Sequence, residues 1–151
     1  MQGVNVIDFG QYIAGPAVAM ILADLGATVV HIDPLDGPLW DSPANATLNR
    51  NKLCMRLDLK APEGLQQARE LISRADIVIE NFRVGTLQKL GLGYDKAKAR
   101  NPGIIYCSIS GFGQTGPYKD RAALDLILQA ESGMISVTGE PGGRGVRCGV
   151  S

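Results

Sequence analysis

Four carboxylates, Asp8, Asp33, Asp58 and Glu80, close short apolar runs that read as strands. Open α/β sheets bind ligands at the C-terminal ends of their strands, which makes these four candidate functional groups. Each taken singly is equally well a solvated residue that starts a loop. Cations gather at the same ends: Lys60 follows the third apolar run, Arg83 and Lys89 follow the fourth, and Asn49-Arg50-Asn51-Lys52 precedes the third. On a parallel sheet Lys60 and Arg83 share the ligand-binding edge. They form a modest cationic rim suited to a phosphorylated cofactor, with solvated loop charge as the competing account.

Other reactive residues narrow the chemistry. His31 is the only histidine, and a lone histidine inside a strand is ordinarily structural. Without a second imidazole no Cys-His or Ser-His hydrolase can be assembled from these residues beside it. Cys54, Cys107 and Cys148 lack CxxC spacing, so no zinc site is expected, and small residues in or beside strands are expected to be buried and inert. Gly111-x-Gly113-x-x-Gly116 has the spacing of a dinucleotide fingerprint and follows a strand. The fingerprint must also open a helix directly, and Pro117-Tyr118-Lys119-Asp120 intervenes. Gly10-x4-Gly15 has the glycines of a P-loop, but Pro16-Ala17 stands where Lys-Ser/Thr is required, which rejects it. Gly91-x-Gly93 lacks a third glycine and reads as a corner between helices.

The elements that must hold these residues alternate regularly. Strands are expected at Val4 to Asp8, Ala27 to Ile32, Cys54 to Asp58, Asp76 to Glu80 and Ile104 to Ser110. Pro16 opens a nearly all-round apolar helix that closes at Gly26. A second helix runs from Pro62 to Arg74 with Leu65, Ala68, Leu71 and Ile72 on one face, and shorter ones cover 84–90, 94–100 and 122–133. Residues 33–50 read as a long loop, rich in Pro, Asp and Asn. The run from Val146 to Ser151 reads as the start of another strand. Strand, helix and strand in this rhythm give an α/β fold: a Rossmann-like, mainly parallel sheet with helices on both faces.

Composition excludes more than it assigns. The chain has 151 residues, 45% hydrophobic and 20% charged, which suits one globular unit and not a disordered one. Fifteen Lys+Arg balance fifteen Asp+Glu, so charge gives no reason to expect nucleic acid or an anionic membrane as partner. Three cysteines make no disulfide framework, and no signal-like N-terminus or membrane-length apolar run is visible. The expectation is a cytoplasmic protein.

Five ordered blocks carry a resemblance: VIDFGQYIAGPAVAMILADLGATVVHID, NRNKLCMRLDLKAPEG, ADIVIENFRVGTLQKLGLGYD, NPGIIYCSISGFGQTGPY and DLILQAESGMISVTGEPGG. Together they resemble the family III CoA-transferases, the group of formyl-CoA and carnitine CoA-transferases, from the first strand to the last residue. The resemblance implies that residues 1–151 are the CoA-binding, Rossmann-like opening of the family's large domain, with the small domain and the C-terminal return segment not included. It implies no permanently bound cofactor, CoA and acyl-CoA as substrates, and a carboxylic acid as acceptor. At full length it implies an interlocked homodimer. The family's α-methylacyl-CoA racemase branch shares the fold and is the alternative activity, as is a CoA-binding fragment without turnover.

Carried over by position, Ala14 in the AGP motif resembles the backbone contact beside the thioester. Leu57 and Lys60 in LDLK resemble contacts along the nucleotide, Asn81 and Phe82 in ENF the next ones, followed by Arg83 and Lys89. Ile13 stands where formyl-CoA transferase has a glutamine beside the reacting carbonyl, a departure that bears on formyl or oxalyl specificity. Pro34 replaces an arginine by the adenine. In the family an aspartate attacks the acyl-CoA thioester, CoA thiolate then attacks the mixed anhydride, and the resulting enzyme thioester passes CoA to the acceptor. That aspartate is expected shortly beyond Gly149-Val150-Ser151, so no residue of this chain inherits its role. The chain alone is expected to be inactive.

Overall fold

The computed structural model describes residues 1–149. Five short strands form one sheet: β1 (Asn5–Asp8), β2 (Thr28–Asp33), β3 (Leu53–Arg56), β4 (Ile77–Glu80) and β5 (Ile105–Ser108). Their order is β3-β2-β1-β4-β5, and every neighbouring pair is parallel. At the centre, Ile7 of β1 lies between Val30 and Val78, and Asp8 lies between His31 and Ile79. Consecutive side chains of a strand point to opposite faces, so a run of apolar residues buries both sides of the sheet.

Each face has its own core. On one, Val6, Val29 and Ile79 pack with Ala19, Ala23 and Ala27. The first two alanines belong to α1 (Ala14–Asp24), whose small buried side chains let the helix sit close to the strands. On the other face, Ile7, Ile32 and Val78 pack with Ala68 and Ile72 of α3 (Pro62–Ser73) and Ala97 of α5 (Tyr94–Arg100). The expected α/β architecture with a parallel sheet covered on both faces is therefore what the chain forms. The glycine readings also hold: Gly26 ends the first helical region at φ +94° and donates to Ala23, and Gly91 turns the corner between α4 (Thr86–Lys89) and α5 at φ +70°.

Three expectations need correction. The stretch 33–50 is not all loop, because α2 (Pro43–Leu48) forms within it, capped by Ser42 Oγ accepting from the Asn45 amide at 3.3 Å and opened by Pro43. The cysteines are not buried: Cys54 is exposed because β3 is an edge strand, and Cys107 and Cys148 are half-buried; all three are free. No strand starts at Val146, since 146–149 carry no regular structure and 150–151 lie outside the described residues. Val146 is tied instead to Thr138 by an amide hydrogen bond of 3.0 Å.

The chain forms two compact units, Met1–Ile109 and Ser110–Ser151, where the sequence reading treated 1–151 as one part. The whole sheet belongs to the first. The second holds α6 (Asp125–Glu131) and a 3-10 turn over Met134–Val137. Among the described residues no helix is long and apolar enough to cross a membrane.

Candidate functional site

The strand order reverses direction at β1. The chain first winds outward through β2 to β3, then returns to place β4 and β5 on the other side. The elements that follow β1 and β4 therefore pack on opposite faces of the sheet. The C-terminal edge at such a switch point is where sheets of this kind form the crevice that takes a ligand. Phe9 to Ile13 leave β1 here, and Asn81 to Gly85 leave β4.

Two devices shape the crevice. The Asn81 side chain grips Gln11 from both sides, its Oδ1 accepting from the Gln11 amide at 2.7 Å and its Nδ2 donating to the Gln11 carbonyl at 2.8 Å. The next residue, Tyr12, is held at φ +62°, a left-handed conformation that a bulky side chain rarely adopts. Strained backbone of this kind persists only where the surroundings over-determine it. Tyr12 and Ile13 stand exposed, and Ala14, also exposed, begins α1. Second, Gly10 and Gly15 bring their backbones together: a Cβ on Gly15 would lie 2.6 Å from the Gly10 Cα. Only glycine fits at either position.

Beneath the crevice lies a buried ionic cluster. Asp8 is wholly buried; its Oδ1 accepts from the Gly10 amide at 2.8 Å and its Oδ2 faces His31 Nδ1 at 2.8 Å and Lys52 Nζ at 2.9 Å. Lys52 also donates to the Pro16 carbonyl at 2.9 Å and to Asn49 Oδ1 at 3.1 Å, which uses all three ammonium protons. On its other side His31 Nε2 lies 3.3 Å from Asp33 Oδ1, outside hydrogen-bonding geometry, so that oxygen is buried without a bonded partner. The lone histidine is thus structural, as its strand position suggests.

The strand-end carboxylates share one local role. Asp8, Asp58 and Glu80 each accept from the backbone amide two residues on, at Gly10, Lys60 and Phe82, over 2.8–2.9 Å. They start loops, and in doing so aim them. Burial followed by the charge of Glu80 pushes the Cys107 thiol up. At Cys54 partial desolvation, then the Asp33 charge, does the same.

Ala14, Leu57, Lys60, Asn81, Phe82 and Arg83 follow the C-terminal ends of β1, β3 and β4. Asn81, Phe82 and Arg83 border the crevice beside β4, with Ala14 across from them after β1. Lys89 closes α4 and is exposed. Leu57 and Lys60 follow β3; the Lys60 side chain is exposed, but that of Leu57 is in the core, which leaves only its backbone for a ligand. With strands about 4.8 Å apart, the edge from β3 to β4 spans about 14 Å. Lys52, Gln11 and Tyr12 were not singled out as site residues by sequence. A lysine in a polar NRNK run gives no sign of burial, and the left-handed Tyr12 has no signature in residue type.

Comparison with known proteins decides the lineage. The model of CoA-transferase family III matches residues 1–151. The chain belongs to CoA-transferase family III. Among curated relatives, this family III chain is 52% identical over 91% of its length to the CoA-transferase/lyase DddD of Marinomonas sp. (strain MWYL1), covering 16% of that protein. It is 41% identical over its whole length to succinate--glutarate CoA-transferase of Agrobacterium fabrum, covering 42% of that protein. A crystal structure of a CAIB/BAIF family protein from Brucella suis superposes with a TM-score of 0.93 at 39% identity, over 99% of this chain and 43% of that one. The chain therefore spans less than half the length of the relatives it matches.

Proposed function

We propose that this chain is the CoA-binding portion of an enzyme that moves CoA from an acyl-CoA thioester to a carboxylate acceptor. The observation that carries the reading is the ordered edge of a family III sheet. Cationic Lys60 lies at one end, Asn81 to Arg83 at the other, and the glycine-packed turn before Ala14 stands between them. An elongated phosphorylated ligand suits such an edge. Lys60 and Lys89 meet phosphate, and the backbone at Leu57 lies along the nucleotide beside Lys60. Asn81, Phe82 and Arg83 supply the contacts beside β4, and Ala14 presents its backbone to the thioester. Full-length relatives named as CoA-transferases support the reaction class.

In that reaction a carboxylate nucleophile attacks the thioester carbonyl and releases CoA thiolate, giving a mixed anhydride. The thiolate attacks the enzyme's acyl carbon of that anhydride and frees the donor acid. The acceptor carboxylate then attacks the enzyme thioester, and the CoA thiolate it expels attacks the new anhydride, leaving acyl-CoA and the free enzyme carboxylate. This chain contributes binding and orientation. Its edge carboxylates Asp8, Asp58 and Glu80 are committed to backbone amides and are not assigned the nucleophile. The racemase alternative needs a base on each side of the α-carbon. In the racemase branch a histidine precedes the aspartate that here is Asp125, but this chain has Leu124, which takes no proton.

Calorimetric titration of CoA into the full-length protein tests the reading. Lys60→Ala is expected to weaken binding by about 1–2 kcal/mol, the scale of a charge-assisted hydrogen bond at an exposed site. An unchanged dissociation constant removes Lys60 from the site.

A further inference from the structure

We infer that Lys52 is a positioning residue for the thioester end of the ligand, an inference that rests on the CoA reading above. Its side chain is fully buried, yet it reaches three separate pieces of chain. Through Asp8 it holds the end of β1, through Pro16 the first turn of α1, and through Asn49 the residue after α2. Asp8 in turn accepts from the Gly10 amide, and Gly10 packs against Gly15. The segment between those glycines is the one that presents Tyr12, Ile13 and Ala14 to the crevice. Lys52 therefore closes a ring around the β1–α1 turn from below, while Asn81 holds it from the side through Gln11.

Loss of the ammonium would free the Pro16 carbonyl and leave the Asp8 Oδ2 facing the His31 imidazole without its ammonium partner. The turn would then keep its glycine contact, the Asp8 bond to the Gly10 amide, and the ties through Gln11 and Asn81. It would lose its anchor to Pro16 and to the residue after α2. The far ends of the edge, at Lys60 and Arg83, have no bond to Lys52 and keep their own supports. The consequence is selective by ligand part: the thioester end loses its pre-organised backbone, and the nucleotide end does not.

The test compares CoA with adenosine 3′-phosphate 5′-diphosphate, its nucleotide part, by titration into the full-length protein. Lys52→Met is expected to weaken CoA by about tenfold, as for a lost charged hydrogen bond, with the nucleotide's dissociation constant unchanged. The pair Asp8→Asn with Lys52→Met removes both charges together, which avoids an unpaired buried carboxylate, and is expected to show the same selective loss. Equal weakening of both ligands, no weakening of either, or failure of both variants to fold would make Lys52 a stability residue only and overturn the inference. Wild-type protein that binds neither ligand would instead overturn the CoA reading on which it rests.

Discussion

Asp8 shows how one side chain can serve the sheet and the site at once. It is wholly buried, and its oxygens are shared among a loop amide, an imidazole and an ammonium. Removing one member of such a cluster costs more than the cluster contributes, because it strands the others in a dry interior. Cys54 and Cys107 illustrate the opposite condition: accessible in part, with thiols pushed toward the protonated form. Burial raises the thiols of Cys54 and Cys107, with Asp33 and Glu80 adding to the shift, and the thiolate is the reactive form. Both should therefore be alkylated by iodoacetamide near neutral pH more slowly than a cysteine in a short unstructured peptide, and gain rate only in more alkaline solution. Mass spectrometry of the labelled sites checks this, and equal or faster labelling at neutral pH contradicts it.

At the scale of elements, α1 is tied at its far end as well. Asp24, its last residue, pairs with Arg50 at 2.5 Å and accepts from Asn51 at 2.9 Å. These hydrogen bonds hold the Asp24 carboxyl below its usual range, Arg50 first. A depressed carboxylate stabilises the fold fully above its unfolded value of about 4, and that contribution is lost as pH falls through the lowered value. Arg50→Ala should accordingly be less stable than wild type in urea at neutral pH, with the gap narrowing in acid. A gap that widens in acid would refute the pairing. Helix α3 offers a steric test, since a Cβ on Gly64 would overlap the Asp58 carbonyl. Gly64→Ala should cost about 1–3 kcal/mol by overpacking, read from the denaturation midpoint. The strands were legible because apolar runs bounded by turn residues have few other uses. Helix α2 was not, since PANATL buries nothing and its start depends on the Ser42 cap. Lys52 was hidden for a different reason: its burial is decided by partners 36 and 44 residues away.

For the molecule as a whole, the proposed transfer and its racemase alternative differ in whether a second base is present. The residue before Asp125 is Leu124, exposed at the start of α6 and unable to carry a proton. The full-length protein should transfer CoA between acids yet leave the α-hydrogen of a 2-methylacyl-CoA unexchanged in heavy water. Deuterium uptake at a rate comparable to transfer would favour the racemase. The strand order has a consequence for how the crevice comes into being. Gln11 and Asn81, which clamp its wall, are 70 residues apart, and β2 and β3 separate β1 from β4 in sequence although the two strands are neighbours in the sheet. Closing so long a loop is among the later and slower steps in building a sheet. The clamp on the crevice wall thus depends on a long-range pairing and not on local structure. A ligand seated there draws the folding equilibrium toward the closed sheet, by about 2.7 kcal/mol at a hundredfold excess over its dissociation constant.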